Sequence, residues 1–168
     1  MRTEAEIRAD YKKLTELLIA RNLTITTMES CTAGLVACLL TDTEGSSQIL
    51  KGAFITYSNE AKQMQGVPAG VLENYGVYSP ETACEMAKAC RRQMKAQIGL
   101  GVTGTLGNAD PANHDTVPGE VHLAVSCGDA LCSRTYTLPP MQERYLYKLS
   151  VADLALQMLE EAVVKCIE

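Results

Sequence analysis

Between Leu23 and Leu40 the chain changes its hydrophobic period once, and that change limits the folds open to it. Leu23-Thr24-Ile25-Thr26-Thr27-Met28 is rich in β-branched residues and reads as a strand, whereas Leu35-Val36-Ala37-Cys38-Leu39-Leu40 reads as a helix. A short polar stretch, Glu29-Ser30-Cys31-Thr32-Ala33-Gly34, joins them. Ser and Thr are strong N-cap residues, so Ser30 or Thr32 is expected to open the helix beside N–H groups that lack an intrahelical partner. A hydroxyl in that field suits an anion, or the oxyanion of an acyl-transfer intermediate. Taken alone, the stretch is more simply a capped helix after a buried strand.

The alternation continues along the chain. Thr3 with Glu6 forms a capping-box pattern, and Ile7, Tyr11, Leu14 and Leu18 repeat at helical spacing to about Arg21. After a turn-forming cluster at 41–47, Ile49–Tyr57 reads as a strand. Asn59 is the expected N-cap of a short helix that carries Lys62 and closes at Gly66 and Pro68, and a second short helix holds Val71 and Leu72. Ser79-Pro80-Glu81 is a strong helix start, followed by an apolar face of Ala83, Met86, Ala87, Cys90 and Met94. Ile98–Thr103 reads as a buried strand whose Gly99 and Gly101 imply the close approach of another backbone or a ligand. The stretch from Gly104 to Gly119 is almost devoid of apolar residues, and a loop of that length is usually functional or disordered. Glu120–Val125 and Cys132–Leu138, linked at Gly128-Asp129, read as an antiparallel hairpin. The last helix starts near Glu143 and repeats Leu149, Ala152, Leu156, Leu159, Val163 and Cys166.

These elements predict an α/β fold: a three-layer sandwich with a mainly parallel sheet, one antiparallel hairpin and helices on both faces. In such folds ligands collect outside the carboxyl ends of the parallel strands. Three polar clusters stand there: Glu29-Ser30-Cys31-Thr32, Tyr57-Ser58-Asn59 and Thr103-Gly104-Thr105. Their convergence is the main argument for a site.

Composition narrows the function. A chain of 168 residues is expected to be one domain, and 46% hydrophobic with 21% charged residues is ordinary for a globular protein. A net charge of -5 without a Lys/Arg stripe argues against a nucleic-acid partner. Seven cysteines, an odd number with no CxxC, support neither a disulfide framework nor a zinc knuckle, and most read as small apolar residues of a reduced interior. With no signal peptide and no membrane span in the sequence, the expected location is the cytoplasm.

A serine needs a base. His114 lies in the long loop, and His122 lies in a strand, where a histidine more often faces solvent; both fit that role poorly. Lys62 fits better, because a lysine desolvated in a cleft gives up its proton more easily, although a lone lysine is more often a solvated surface residue. Tyr57, at the strand end, is a candidate proton relay or oxyanion donor. Cys31 competes with Ser30, and spacing alone does not separate them. Asp110, His114 and Asp115 share a loop, but no second ligand cluster joins them, so no metal is expected.

Glu29-Ser30-Cys31-Thr32-Ala33-Gly34, Tyr57-Ser58-Asn59-Glu60-Ala61-Lys62, Gly76-Val77-Tyr78-Ser79 and Gly101-Val102-Thr103-Gly104 resemble, in order and spacing, the CinA C-terminal domain family, which includes the nicotinamide-nucleotide amidohydrolases, or NMN deamidases. The resemblance covers the whole chain, 1–168, without the amino-terminal domain of longer members. It implies hydrolysis of nicotinamide mononucleotide to nicotinate mononucleotide and ammonia, with no metal or organic cofactor. Carried over by position, Ser30 is the nucleophile, Lys62 the base and Tyr57 a third catalytic residue. Thr32, Thr103, Gly104, Thr105, Asn108 and Arg144 are the expected substrate-binding residues, Arg144 as a phosphate contact. A small-molecule nucleotide is the expected partner, and a homo-oligomer the expected assembly. The alternative is a non-catalytic member that binds a nucleotide or a protein partner in competence or DNA-damage physiology. The chain departs from the family pattern at Ala33, where a glycine commonly stands, and in the loop 105–119, which is not the usual Gly-Pro-rich stretch.

Overall fold

The computed structural model describes residues 2–113 and 116–167, with the backbone alone for 166 and 167. The expected role of Cys166 in the last apolar face, and those of His114 and Asp115, therefore lie outside the described residues. The elements run α1 (Glu4–Arg21), β1 (Ile25–Glu29), α2 (Leu35–Thr41), β2 (Leu50–Ile55), α3 (Asn59–Met64), α4 (Ala69–Tyr75), α5 (Pro80–Met94), β3 (Ile98–Gly104), β4 (Glu120–Cys127), β5 (Ala130–Thr137) and α6 (Arg144–Ile167). A single 3-10 turn at Ser46–Gln48 precedes β2.

The five strands form one sheet in the order β2-β1-β3-β4-β5. β1 is parallel to both β2 and β3, while β4 is antiparallel to β3 and to β5. The expected sandwich with a parallel core and a terminal hairpin is the observed fold. The hairpin strands run longer than expected, because both continue to the Gly128-Asp129 turn.

Alternation along the strands divides the interior. Ile25, Ile98, Leu100, Val102, Val121, Leu123 and Val125 share a core with Ile7, Tyr11, Leu14 and Leu18 of α1, Leu39 and Leu40 of α2, and Leu149, Leu156 and Leu159 of α6. Met28, on the opposite face, packs with Met86, Ala89 and Cys90 of α5 and Leu72 of α4. The Tyr11 hydroxyl donates to the Ala152 carbonyl at 2.7 Å, which ties α1 to α6. α1 begins as its sequence predicts, with a capping box between Thr3 and Glu6.

The glycines of β3 are explained by α5. A Cβ at Gly101 would lie 2.1 Å from the Ala83 carbonyl oxygen and 2.7 Å from the Ala87 nitrogen, so the helix backbone rests directly on the strand. That contact fixes the Ser79 start of α5, and with it the preceding segment, close to the end of β3. His122 contradicts its expected place in solvent. It is buried on the α5 side of the sheet, and its Nδ1 lies 2.9 Å from Thr135 Oγ1. Burial lowers its pKa. Among the described residues Cys31, Cys38, Cys84, Cys90 and Cys132 are free, whereas Cys127 is disulfide-bonded. No helix among the described residues is long and apolar enough to cross a membrane.

Candidate active site

The register of the parallel strands decides which side chains meet. Glu29 pairs with Ile55 on one side and Val102 on the other, so β1 and β2 end level and β3 runs two residues further, to Gly104. Two further backbone bonds extend the alignment past the strands: Thr56 N–H to the Glu29 carbonyl and Ser30 N–H to the Val102 carbonyl, both 2.9 Å. The polar residues that follow each strand are thereby brought to one place.

The turn after β1 is built differently from its sequence expectation. Neither Ser30 nor Thr32 caps α2, which starts at Leu35 behind Gly34. The cap is the carboxylate of Glu29, fully buried beneath the turn. It accepts from the N–H groups of Gly34 (3.0 Å), Val36 (3.1 Å) and Ala37 (2.9 Å), and from the hydroxyls of Thr32 (2.7 Å) and Thr27 (3.1 Å). A buried carboxylate is tolerated only when its lone pairs are satisfied in this way. One consequence is that these helix-start donors face Glu29 and are not open to a ligand. The N–H groups of Cys31 and Thr32, by contrast, bond no carbonyl among the described residues. Ala33 sits at φ +52°, in the left-handed region, where a glycine carries no strain.

A similar shift occurs at the second cluster. Ser58, not Asn59, caps α3, its hydroxyl accepting from Ala61 N–H at 3.1 Å. Lys62 is then the fourth residue of a six-residue helix, too far along it for the positive helix end to govern its charge. Its side chain turns inward and is 1% exposed. Nζ donates to the Thr56 carbonyl at 2.8 Å and to Ser30 Oγ at 3.2 Å. Burial lowers the Lys62 pKa from 10.5 to about 8, against the opposing influence of Cys31 and Asp110. The neighbouring Cys31 thiol is buried, and burial with the charge of Glu29 pushes its pKa up to about 12.

Ser30, Cys31 and Lys62 open into a cavity of about 510 Å³. That volume falls within the ~300–1,000 Å³ of small-molecule sites. Its walls include Tyr57 and Ser58 after β2, Tyr78 before α5, Thr105, Asn108 and Asp110 after β3, and Arg144 at the start of α6. Arg144 Nη2 donates to the Tyr57 hydroxyl at 2.9 Å, and Tyr57 is 59% exposed, at the mouth.

A model of the CinA C-terminal domain matches residues 8–163. The chain belongs to the CinA C-terminal domain family. It is 38% identical over 149 residues to a CinA-like protein of Chloroherpeton thalassium, an alignment covering 87% of this chain and 35% of that protein. With a CinA-like protein of Fervidobacterium nodosum it shares 32% identity over 152 residues, 90% of this chain and 36% of the relative. The chain thus spans about a third of the length of these curated relatives. Among solved structures, the competence/damage inducible protein CihA from Agrobacterium tumefaciens superposes with a TM-score of 0.85 at 29% identity, covering 97% of this chain and 98% of that one.

Of the expected site residues, the fold brings Ser30, Tyr57, Lys62, Gly104, Thr105, Asn108 and Arg144 to the cavity of this CinA-family chain. It does not bring Thr32 or Thr103 there. The Thr32 hydroxyl serves Glu29, and the buried Thr103 hydroxyl donates to the Val77 carbonyl at 2.9 Å, holding the segment before α5. The Thr105 hydroxyl donates to the Val117 carbonyl and braces the long loop. Among the described residues no group of three His, Cys, Asp or Glu side chains is placed to hold a metal. Sequence reasoning missed the pair Tyr78 and Asp110, which the fold joins from segments 32 residues apart. The only signal was the position of both residues in polar motifs just beyond strand or helix ends.

Proposed function

We propose that the chain hydrolyses the carboxamide of a pyridine nucleotide, with nicotinamide mononucleotide giving nicotinate mononucleotide and ammonia. The observation that supports this reading is the buried contact of Lys62 Nζ with Ser30 Oγ at 3.2 Å, made by a lysine whose pKa falls to about 8. An amine with that pKa is a competent base near neutrality, which an ordinary lysine is not. Ser30 Oγ attacks the carboxamide carbon as its proton passes to Lys62. The C–N bond then breaks, and the proton moves from Lys62 to the departing ammonia. Water next gives a proton to Lys62 and adds to the ester carbon. Ser30 Oγ leaves with that proton, and the carboxylic acid formed gives up its own proton to the ammonia or to solvent and is released as the carboxylate. On this reading the Cys31 N–H and the Tyr57 hydroxyl are the donors for the oxyanion. Arg144 takes the phosphate, and Asn108 the polar parts of the sugar.

The test is ammonia release from nicotinamide mononucleotide by the parent chain and by two variants. Ser30→Ala removes nearly all turnover, and Cys31→Ala keeps a substantial part. No ammonia from the parent overturns the amidase reading; an active Ser30→Ala beside a dead Cys31→Ala overturns the choice of nucleophile.

A further inference from the structure

The cavity contains a fixed negative charge that the hydrolytic pair does not use. The Asp110 carboxylate accepts hydrogen bonds from the Tyr78 hydroxyl (2.5 Å), the Asn113 side-chain amide (2.5 Å) and the Ala112 N–H (2.9 Å). These donors, Tyr78 foremost, hold its pKa below the usual carboxylate value and fix its direction. Burial and then Asp110 itself push the Tyr78 phenol well upward, so that it stays a donor. A carboxylate has room for about four hydrogen bonds, so acceptor capacity remains. Among the described residues Asp110 forms no ion pair, and neither does Arg144, the guanidinium at the same cavity. Glu60, the other carboxylate in the lining, is exposed and takes its hydrogen bonds from its own helix start.

The proposed base chemistry sharpens the imbalance. Lys62 works as a neutral amine, so in the reactive state it no longer offsets Asp110. The cavity then holds Arg144 at its mouth and an uncompensated carboxylate on the loop after β3, with the aromatic side chain of Tyr78 bonded to it. That arrangement matches a ligand with an anionic group at one end and a cationic aromatic ring at the other. Resting on the function proposed above, we infer that Asp110 selects the charge of the ring: the site takes an N-substituted pyridinium nucleotide and discriminates against its neutral dihydropyridine form. Asp110 also favours the ammonium form of Lys62. A cationic ring beside Asp110 cancels that influence, so binding of the charged ligand leaves Lys62 more readily neutral.

The experiment uses the Ser30→Ala chain, which binds without turnover, and calorimetry at neutral pH and about 0.15 M salt, where exposed charges are screened. Oxidised and reduced nicotinamide mononucleotide are the two probes, each measured with and without Asp110→Asn. Asparagine keeps the shape and still accepts from Tyr78, and a thermal melt checks that it folds. The oxidised ligand binds roughly two- to fivefold tighter than the reduced one, as for a partly exposed charge pair. Asp110→Asn abolishes most of that preference, with binding of the reduced ligand kept within about twofold. Equal loss for both ligands would mean that Asp110 reads the shared sugar or phosphate, and it overturns the inference. So does unchanged binding of the oxidised ligand, or no binding of either. Ammonia release by the parent chain is read separately: binding as expected without release removes the amidase reading and leaves the assignment of Asp110 standing.

Discussion

Burying Lys62 has a thermodynamic cost that can be measured apart from any activity. Its pKa drops from 10.5 to about 8, and burial is the first cause. At ~1.36 kcal/mol per pKa unit, that difference corresponds to about 3 kcal/mol. Because the folded value is the lower one, the unfolded chain binds the proton more tightly. Below about pH 8 both states are protonated and the folded state bears the whole cost. Between about 8 and 10.5 stability is gained as pH rises, and above that range the cost is gone. Replacing Lys62 by Met removes the ammonium and keeps an unbranched apolar side chain of similar length. It also removes the hydrogen bonds to the Thr56 carbonyl and to Ser30 Oγ, together a loss of ~1.5–3 kcal/mol for a charged donor. Lys62→Met is therefore expected to be more stable than the parent by up to about 1.5 kcal/mol in mild acid. For a chain of this size that raises Tm by up to roughly 6 °C. The advantage shrinks as pH rises and reverses in strong alkali, where only the lost hydrogen bonds remain. Urea titrations of both proteins at several pH values read the gap directly, and other titrating groups cancel in the difference. A gap independent of pH, or a variant less stable in acid, would refute the argument.

Two further outcomes follow from single residues. Ala33→Gly relieves a left-handed backbone at φ +52°, a strain of ~1–2 kcal/mol. Part of this is offset by the entropy of the unfolded glycine, so the variant gains up to about 1 kcal/mol in thermal or urea unfolding; a destabilised variant would show that the turn is not strained. For turnover, kcat/KM is expected to rise with pH through about 8 as Lys62 loses its proton. Lys62→Arg should abolish both the rise and most of the activity, since guanidinium keeps its proton, and a variant with near-normal activity and an unchanged profile would remove Lys62 from the role of base.

The sheet was legible because each strand declared itself through composition, and the paired glycines of β3 announced a close neighbour that proved to be the backbone of α5. The meeting of the Ser30, Tyr57 and Lys62 segments was legible for the same reason: parallel strands that end level must place their following residues together. Polar residues whose role depends on a partner elsewhere were not legible. Glu29 read as one member of the polar stretch after the first strand, but tertiary burial makes it the cap of α2, displacing Ser30 and Thr32 from a role that local preference alone assigned them. His122 sits where an alternating strand can turn either way, and the choice depended on where α5 packs. Asp110 meets Tyr78 only after the long loop folds back over the cavity.

The choice between Ser30 and Cys31, which spacing left open, turns on Glu29. A thiol at a free helix start would be drawn toward its thiolate by the unsatisfied N–H groups. Here Glu29 occupies donors at the start of α2, and its charge adds to burial in raising the Cys31 pKa to about 12. At neutral pH the thiolate fraction is then on the order of 10⁻⁵. Ser30, one residue earlier, is the side chain that Lys62 Nζ reaches. One carboxylate thus caps the helix, quiets the thiol and removes the helix field from the site. The proposed chemistry accordingly relies on a lysine made basic by burial, not on an anion made stable by a helix end. That makes desolvation of Lys62 the property to perturb: a negative charge or a water channel beside it should raise its pKa and slow the proposed reaction, even with every contacting atom still in place.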